Sequence, residues 1–302
     1  MKKCPLQILV QMTENWHFPI IPSSIPTSTL AKADELVSKT AFLAGLVAPE
    51  TAACLSELLR VTDANFSSVI DGNLSDSETL ERTSILEHHQ STVSGIPEQR
   101  RRIVAVLCQH YHLIHERKHH DGSRPSVRAL TIEHFAQLGL QPHLWSLSRG
   151  LGRRLNEYQS ATSMNEPIGK DGIEAAQKRT DGEQLAFINL MLDVCHEEVD
   201  YMTTALSRHQ LRESVTHAYR TNSRLKESGI RPETMPALLA LLIQGALPRS
   251  EFVTFTGLPP EAASDQISKL ISIGVVVSPP SNLYRLEIGL PVWFAEEIFP
   301  DL

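Results

Sequence analysis

Cysteine is scarce in this chain, and the scarcity is informative. Four cysteines, Cys4, Cys54, Cys108 and Cys195, are scattered over 302 residues with no CxxC pair. That pattern speaks against a disulfide framework or a thiolate zinc site and fits a reducing compartment. The last three fall in apolar helical runs and read as buried thiols. No run of eighteen apolar residues occurs, so no transmembrane helix and no membrane partner are expected. The short Ile8-Leu9-Val10 segment is not followed by a cleavage-like site, so the expected location is the cytoplasm. Positive charge is also in deficit. A net charge of −7 and a pI near 6.0 argue against a nucleic-acid footprint along the whole chain.

What is present is enough for a folded protein. Apolar residues make up 41% of the chain, and the length suits one large or two ordinary domains. Residues 1 to 29 read as a proline-rich arm that Trp16 and Phe18 could anchor. A helix with Leu30, Ala33, Leu36 and Val37 on one face then starts behind a Ser28/Thr29 cap, and Pro49 opens another carrying Ala53, Leu55, Leu58 and Leu59. The interval from Leu74 to Arg102 is polar, without strand-like alternation. Residues 159 to 182 read as a loop. Leu185, Ile188, Leu192, Cys195, Val199 and Met202 then mark a long closing helix over Glu183 to Leu206.

A connecting helix is expected to about Lys226, with Gly229 and Pro232 marking a boundary. The remainder reads helix (Met235 to Gln244), turn at Pro248, helix (Arg249 to Thr256), a Gly257-Leu258-Pro259 turn, helix (Pro260 to Ile273), and two strands around Val275–Val277 and Tyr284–Leu286. That order resembles a winged helix-turn-helix. Its third helix offers Glu261, Asp265, Gln266 and Lys269, a poor set for reading DNA, with Arg249 and Arg285 as the nearby arginines. DNA binding and a protein-contact or dimerisation role both stay open for this unit.

The candidate chemistry lies between Arg101 and Leu130, RRIVAVLCQHYHLIHERKHHDGSRPSVRAL, where a helix breaks into a histidine-dense loop and resumes. Residues 115–119 spell HExxH, which on a helix can hold zinc between His115 and His119 with Glu116 as general base, the site of a zinc hydrolase. Arg117 and Lys118 would then set two cations beside the metal, and the Asp121-Gly122 turn ends the helix too soon.

The flanks point elsewhere. Leu144 to Tyr158 (LWSLSRGLGRRLNEY), Glu183 to Met202 (EQLAFINLMLDVCHEEVDYM), Arg60 to Gly72 (RVTDANFSSVIDG) and the tail PVWFAEEIFPDL each resemble segments of Fic (Fido-fold) proteins that carry a C-terminal winged helix. The family loop reads HPFxDGNGRxxR. Counting from Asp121 and Gly122, Arg128 falls on its second arginine, while Ser123, Arg124 and Pro125 stand where Asn, Gly and Arg belong. Two residues inserted before Asp121 would put His115 at the histidine position.

The resemblance implies specific roles. His115 or His119 would take a proton from a target hydroxyl, Asp121 would hold Mg²⁺, and Arg124 and Arg128 would meet the phosphates of ATP. Tyr158 could pack on the nucleotide base, although a core tyrosine is the commoner fate. Ser67, Asp71 and Gly72 match the spacing of the family's inhibitory motif, in which Asp71 would reach Arg128; a Ser-capped turn is the plainer reading. Arg124 and Pro125 introduce a β-carbon and remove a backbone N–H where glycines normally cradle phosphate, so catalysis is expected to be impaired or lost. The flap that clamps a target by strand addition has no counterpart between Leu74 and Arg102.

The expected architecture is mostly α, a shortened Fic-like helical bundle followed by a winged helix-turn-helix domain. Its divisions are 1–59 (arm and helices), 60–206 (Fic-like domain), 207–228 (connecting helix) and 229–302 (winged helix). The expected activity is transfer of AMP, or another nucleotide-derived phosphate moiety, from ATP with Mg²⁺ to a protein hydroxyl. The alternative is an inactive Fic-like scaffold acting through its winged helix. The partners to expect are a nucleotide, a protein target, DNA and a second copy of the chain.

Overall fold

Apolar residues recurring every three or four positions form helices along most of this chain. The computed structural model describes residues 21–22, 24–71, 98–117, 127–163, 173–300 and 302. Its helices are α1 (Thr27–Leu46), α2 (Pro49–Asp71), α3 (Gln99–Arg117), α4 (Val127–Gln137), α5 (Leu147–Arg153), α6 (Leu155–Thr162), α7 (Ile173–Ala205), α8 (Arg208–Thr221), α9 (Ser223–Glu227), α10 (Met235–Gln244), α11 (Arg249–Thr256), α12 (Pro260–Ser272) and α13 (Val292–Ile298). A 3-10 turn at Pro232–Thr234 and three short strands, β1 (Ala246–Pro248), β2 (Val276–Val277) and β3 (Arg285–Ile288), complete the described elements. The protein is mostly α. No single described helix is long and apolar enough to cross a membrane.

The contacts divide the chain into two compact units. The first gathers the described residues of Met1–Val37, Ser75–Leu140 and Arg154–Val194; the second gathers those of Ser38–Leu74, Gln141–Arg153 and Cys195–Leu302. Helices α1 and α7 contribute to both.

In the first unit α3 turns Ile103, Val104, Val106 and Leu107 inward, and Phe135, Phe187, Ile188 and Met191 are equally buried. Helix α1 is fastened to α7 by the Thr29 hydroxyl, which donates to Asn189 Oδ1 at 3.2 Å, and by Lys32 and Asp193 at 2.6 Å. Thr29 is therefore an interior helical residue rather than the expected cap, since α1 already begins at Thr27. The expected loop over 159–182 is also corrected: α6 runs to Thr162 and α7 begins at Ile173. Glu, Ala, Gln, Lys and Arg in that stretch are good helix formers whatever their polarity.

In the second unit α2 packs along α5, where a β-carbon on Gly152 would run into the Phe66 ring. The Thr51 hydroxyl of α2 donates to the Leu242 carbonyl at 3.0 Å. The strands form one antiparallel sheet in the order β1-β3-β2, with Leu247 opposite Leu286 and Val276 opposite Ile288. All four are buried. The expected turn at Pro248 is instead the end of β1, an edge strand where a missing N–H is tolerated. The expected connecting helix is two, because the Asn222 side chain accepts from Leu225 N at 3.2 Å and starts α9 afresh. Gly257 (φ 64°) and Gly274 (φ 78°) supply the left-handed residues that stop α11 and α12.

Two glycines of this unit should respond differently to alanine. A β-carbon at Gly257 meets open space and suffers only its positive φ, whereas at Gly289 it would collide with the Gly274 carbonyl oxygen. Gly257→Ala should cost about 1 kcal/mol in urea unfolding, and Gly289→Ala clearly more; equal costs would contradict this packing.

Candidate functional site

The segment that joins α3 to α4 carries the candidate chemistry, and its two flanks are described. Helix α3 continues to Arg117, so His115 sits in its last turn. Its Nδ1 lies 2.7 Å from the Tyr111 carbonyl oxygen one turn back. A carbonyl only accepts, so Nδ1 carries the proton and Nε2 holds the lone pair, the tautomer a general base requires. The ring stacks beside Tyr111 with centroids 4.2 Å apart. Arg128 stands in the first turn of α4 and is 5% exposed.

What fixes these flanks relative to each other is a residue that the motif reading passed over. His110 of α3 is 1% exposed. Its Nδ1 meets Thr131 Oγ1 of α4 at 2.7 Å, and its Nε2 meets Tyr158 Oη of α6 at 3.0 Å. Direction follows from Thr131, whose single hydroxyl proton goes to the Val127 carbonyl at 2.9 Å. Thr131 must then accept from His110 Nδ1–H, which leaves Nε2 to accept from the Tyr158 hydroxyl. Tyr158 O–H, His110, Thr131 and the Val127 carbonyl form one oriented chain across three helices. Phe187 of α7 packs beside it, 5.6 Å from the His110 ring. The Gln184 amide donates to His112 Nε2 at 3.0 Å two residues further along α3.

Tyr158 is consequently a core residue, 5% exposed. Ser67 and Asp71 lie on the last turns of α2 rather than in a capped turn. Ser67 Oγ is 3.2 Å from Ser148 Oγ, and Asp71 is exposed at the helix end. Asp71 belongs to the second unit and Arg128 to the first. Gly72, His119, Asp121 and Arg124 lie outside the described residues, as do the zinc string's second half and Cys4. Among the described residues no group of three His, Cys, Asp or Glu is placed to hold a metal.

Within the second unit, the Ser-Arg-Gly-Leu segment forms α5 and carries a buried ion pair. Arg149 and Glu198 side chains are 1% and 4% exposed, with Nε to Oε2 at 2.8 Å. The guanidinium lies 3.8 Å over the Tyr201 ring. Arg149 is thus not part of a solvated basic face, because its side chain is buried against Glu198. Asp63 of α2 braces the start of α5, accepting from Ser146 Oγ at 2.6 Å and from Ser148 N at 3.1 Å. A carboxylate there complements the helix dipole. Burial raises the Glu198 carboxyl above its ordinary value of 4.5, with the Arg149 and Arg153 guanidinium groups pulling the other way. Burial likewise lifts the Cys108 thiol to about 12 and the Cys195 thiol further, so neither is a nucleophile at neutral pH.

The missed residues leave a trace in the sequence. His110 falls among the apolar positions of α3, and Glu198 falls between Cys195 and Met202 on the buried stripe of α7. A polar group on such a stripe requires a buried partner. No protein-family model matches the chain, and no curated protein matches it.

Two substitutions test these networks. Tyr158→Phe strands the lone pair on His110 Nε2 and should lower stability by about 1 to 3 kcal/mol in chemical unfolding; a neutral result would mean the chain is not formed. Glu198 is harder to ionise folded than unfolded, so its titration favours the folded state below pH 4.5, and that advantage is lost as pH rises through the folded value. The stability of the native protein relative to Glu198→Gln should therefore fall as pH climbs above 4.5 and then level; a rise would contradict the assignment.

Proposed function

We propose that this chain is a Fic-like protein that transfers AMP from ATP to a protein hydroxyl, at a low rate. The observation that carries the reading is the arrangement around the α3–α4 connection. A histidine of the proton-accepting tautomer ends the helix before it, and a buried arginine opens the helix after it. Counted from Asp121 without a gap, Arg128 matches the second arginine of the Fic loop and Arg117 stands at its histidine; with two residues inserted before Asp121, His115 takes that position instead.

In this reading His115 Nε2 takes the proton from the attacking hydroxyl as its oxygen bonds to the α-phosphorus of ATP and pyrophosphate leaves. The Tyr111 carbonyl, already bonded to Nδ1–H, stabilises the imidazolium that forms. Arg128, with Arg124, offers guanidinium groups to phosphate oxygens in a bidentate way suited to that geometry. Asp121 is the residue that would hold Mg²⁺, and Mg²⁺ with ATP would supply the electrophilic α-phosphate. Tyr158 acts from behind, as a positioning residue through His110. Arg124 and Pro125 in place of the glycine cradle account for the low rate.

A second reading has its own support. The order α10, β1, α11, α12, β2, β3 with an antiparallel β1-β3-β2 sheet is the order of a winged helix-turn-helix. In this reading a catalytically silent Fic-like scaffold works through that unit.

Labelled ATP with Mg²⁺ or Mn²⁺ separates the two. The full chain should label itself or a lysate protein weakly, Asp71→Gly should raise the signal, and His115→Ala should lower it by about 10² or more. Absence of label in both the native protein and Asp71→Gly would remove the transferase reading and leave the scaffold.

A further inference from the structure

Charge is unevenly distributed in this acidic chain. Residues 208 to 231 contain Arg208, Arg212, Arg220, Arg224, Lys226 and Arg231 against Glu213 and Glu227, a net of +4 within a total of −7. The rest of the chain therefore carries −11. Apolar residues Leu211, Val215, Ala218 and Tyr219 point α8 into the core. Its exposed positions carry Arg208, Arg212 and Arg220 against the single acid Glu213, beside His209 and His217.

These cations differ from others at the surface. Lys32, Lys39, Arg60, Arg100, Arg101, Arg154, Lys269 and Arg285 all stand in ion pairs with carboxylates. Arg208, Arg212, Arg220 and Lys226 have no carboxylate partner among the described residues, and all four are exposed. Arg224 is held over the Trp293 ring at 5.1 Å. Residues of α12 and β3 that could have read DNA are meanwhile engaged. Gln266 is 1% exposed and holds Arg231 N at 2.8 Å, Asp265 pairs with Lys269 at 2.8 Å, and Arg285 pairs with Glu50 and Glu287.

We infer that the outer face of α8 and α9 docks on the phosphate backbone of duplex DNA, without reading its sequence. Arginine predominates over lysine five to one in this stretch, which suits bidentate contact with phosphate. From Arg208 to Arg220 these cations extend over about 18 Å of helix at 1.5 Å per residue, long enough to meet several of the closely spaced charges of a duplex. The described outward positions of α8 carry no apolar side chain to enter a bilayer. Nor do they offer an aromatic platform for single-stranded bases, since Tyr219 is buried. The inference does not rest on AMP transfer and can fail or hold independently of it.

The test is fluorescence anisotropy of a labelled DNA duplex titrated with the full chain at several salt concentrations. Four to five phosphate contacts predict a slope of about −4 in log affinity against log salt. Arg212→Ala with Arg220→Ala should reduce that slope by about two, while Arg60→Ala, which removes a paired arginine elsewhere, should leave it unchanged. Matched unfolding midpoints of all three proteins exclude misfolding. No binding near 50 mM salt, or an unchanged slope in the double variant, overturns the inference. So does tighter binding to an RNA duplex, to anionic phosphatidylserine vesicles or to polyglutamate than to the DNA.

Discussion

A buried histidine between two hydroxyls sets the geometry on which the candidate site depends. His110 gives its Nδ1 proton to Thr131 and receives the Tyr158 proton at Nε2, so α3, α4 and α6 are joined by bonds with only one consistent direction. Each member has its donor or acceptor satisfied at low exposure, and such a network specifies one arrangement because any slip leaves a buried polar group unpaired. His115 lies five residues after His110 and Arg128 three before Thr131. The separation of candidate base and candidate phosphate ligand is thus tied to this chain of hydrogen bonds rather than to the intervening loop. Phe187 keeps water from it.

The second unit uses charge in two opposite ways. Arg149 and Glu198 are withdrawn from solvent together, and removal of either would leave the other uncompensated, at about 3 to 5 kcal/mol. Such a pair adds little net stability over an apolar one but defines where α5 meets α7. The cations of α8 are instead exposed, and none stands in an ion pair with a carboxylate among the described residues. A chain with excess acid elsewhere had carboxylates available to neutralise them.

Much of the helical framework was legible from periodicity alone. Helices α10, α11 and α12 begin and end within a residue or so of their expected bounds, because Gly257 and Gly274 are strong stops and Pro260 is a strong start. Elsewhere polarity misled. The stretch entering α7 is polar yet helical, since propensity does not require an apolar face, and β1 was hidden by its proline. The site was legible only in part. Motif reading found His115 and Arg128 but passed over His110, Thr131 and Glu198, whose roles arise from partners 21 to 49 residues away along the chain. For Arg149 likewise, nothing local distinguishes a guanidinium destined for a buried carboxylate from one facing solvent.

The central claim is that the α3–α4 connection still binds the phosphates of a nucleotide between His115 and Arg128. Isothermal titration of ATP with Mg²⁺ into the full chain addresses it most directly. Saturable one-site binding is predicted, weakened at least about tenfold in Arg128→Ala, since hydrogen bonds between charged groups contribute roughly 1.5 to 3 kcal/mol, and unaffected in Arg60→Ala. Absence of heat with the native protein, or equal affinity in a folded Arg128→Ala variant, would contradict the account.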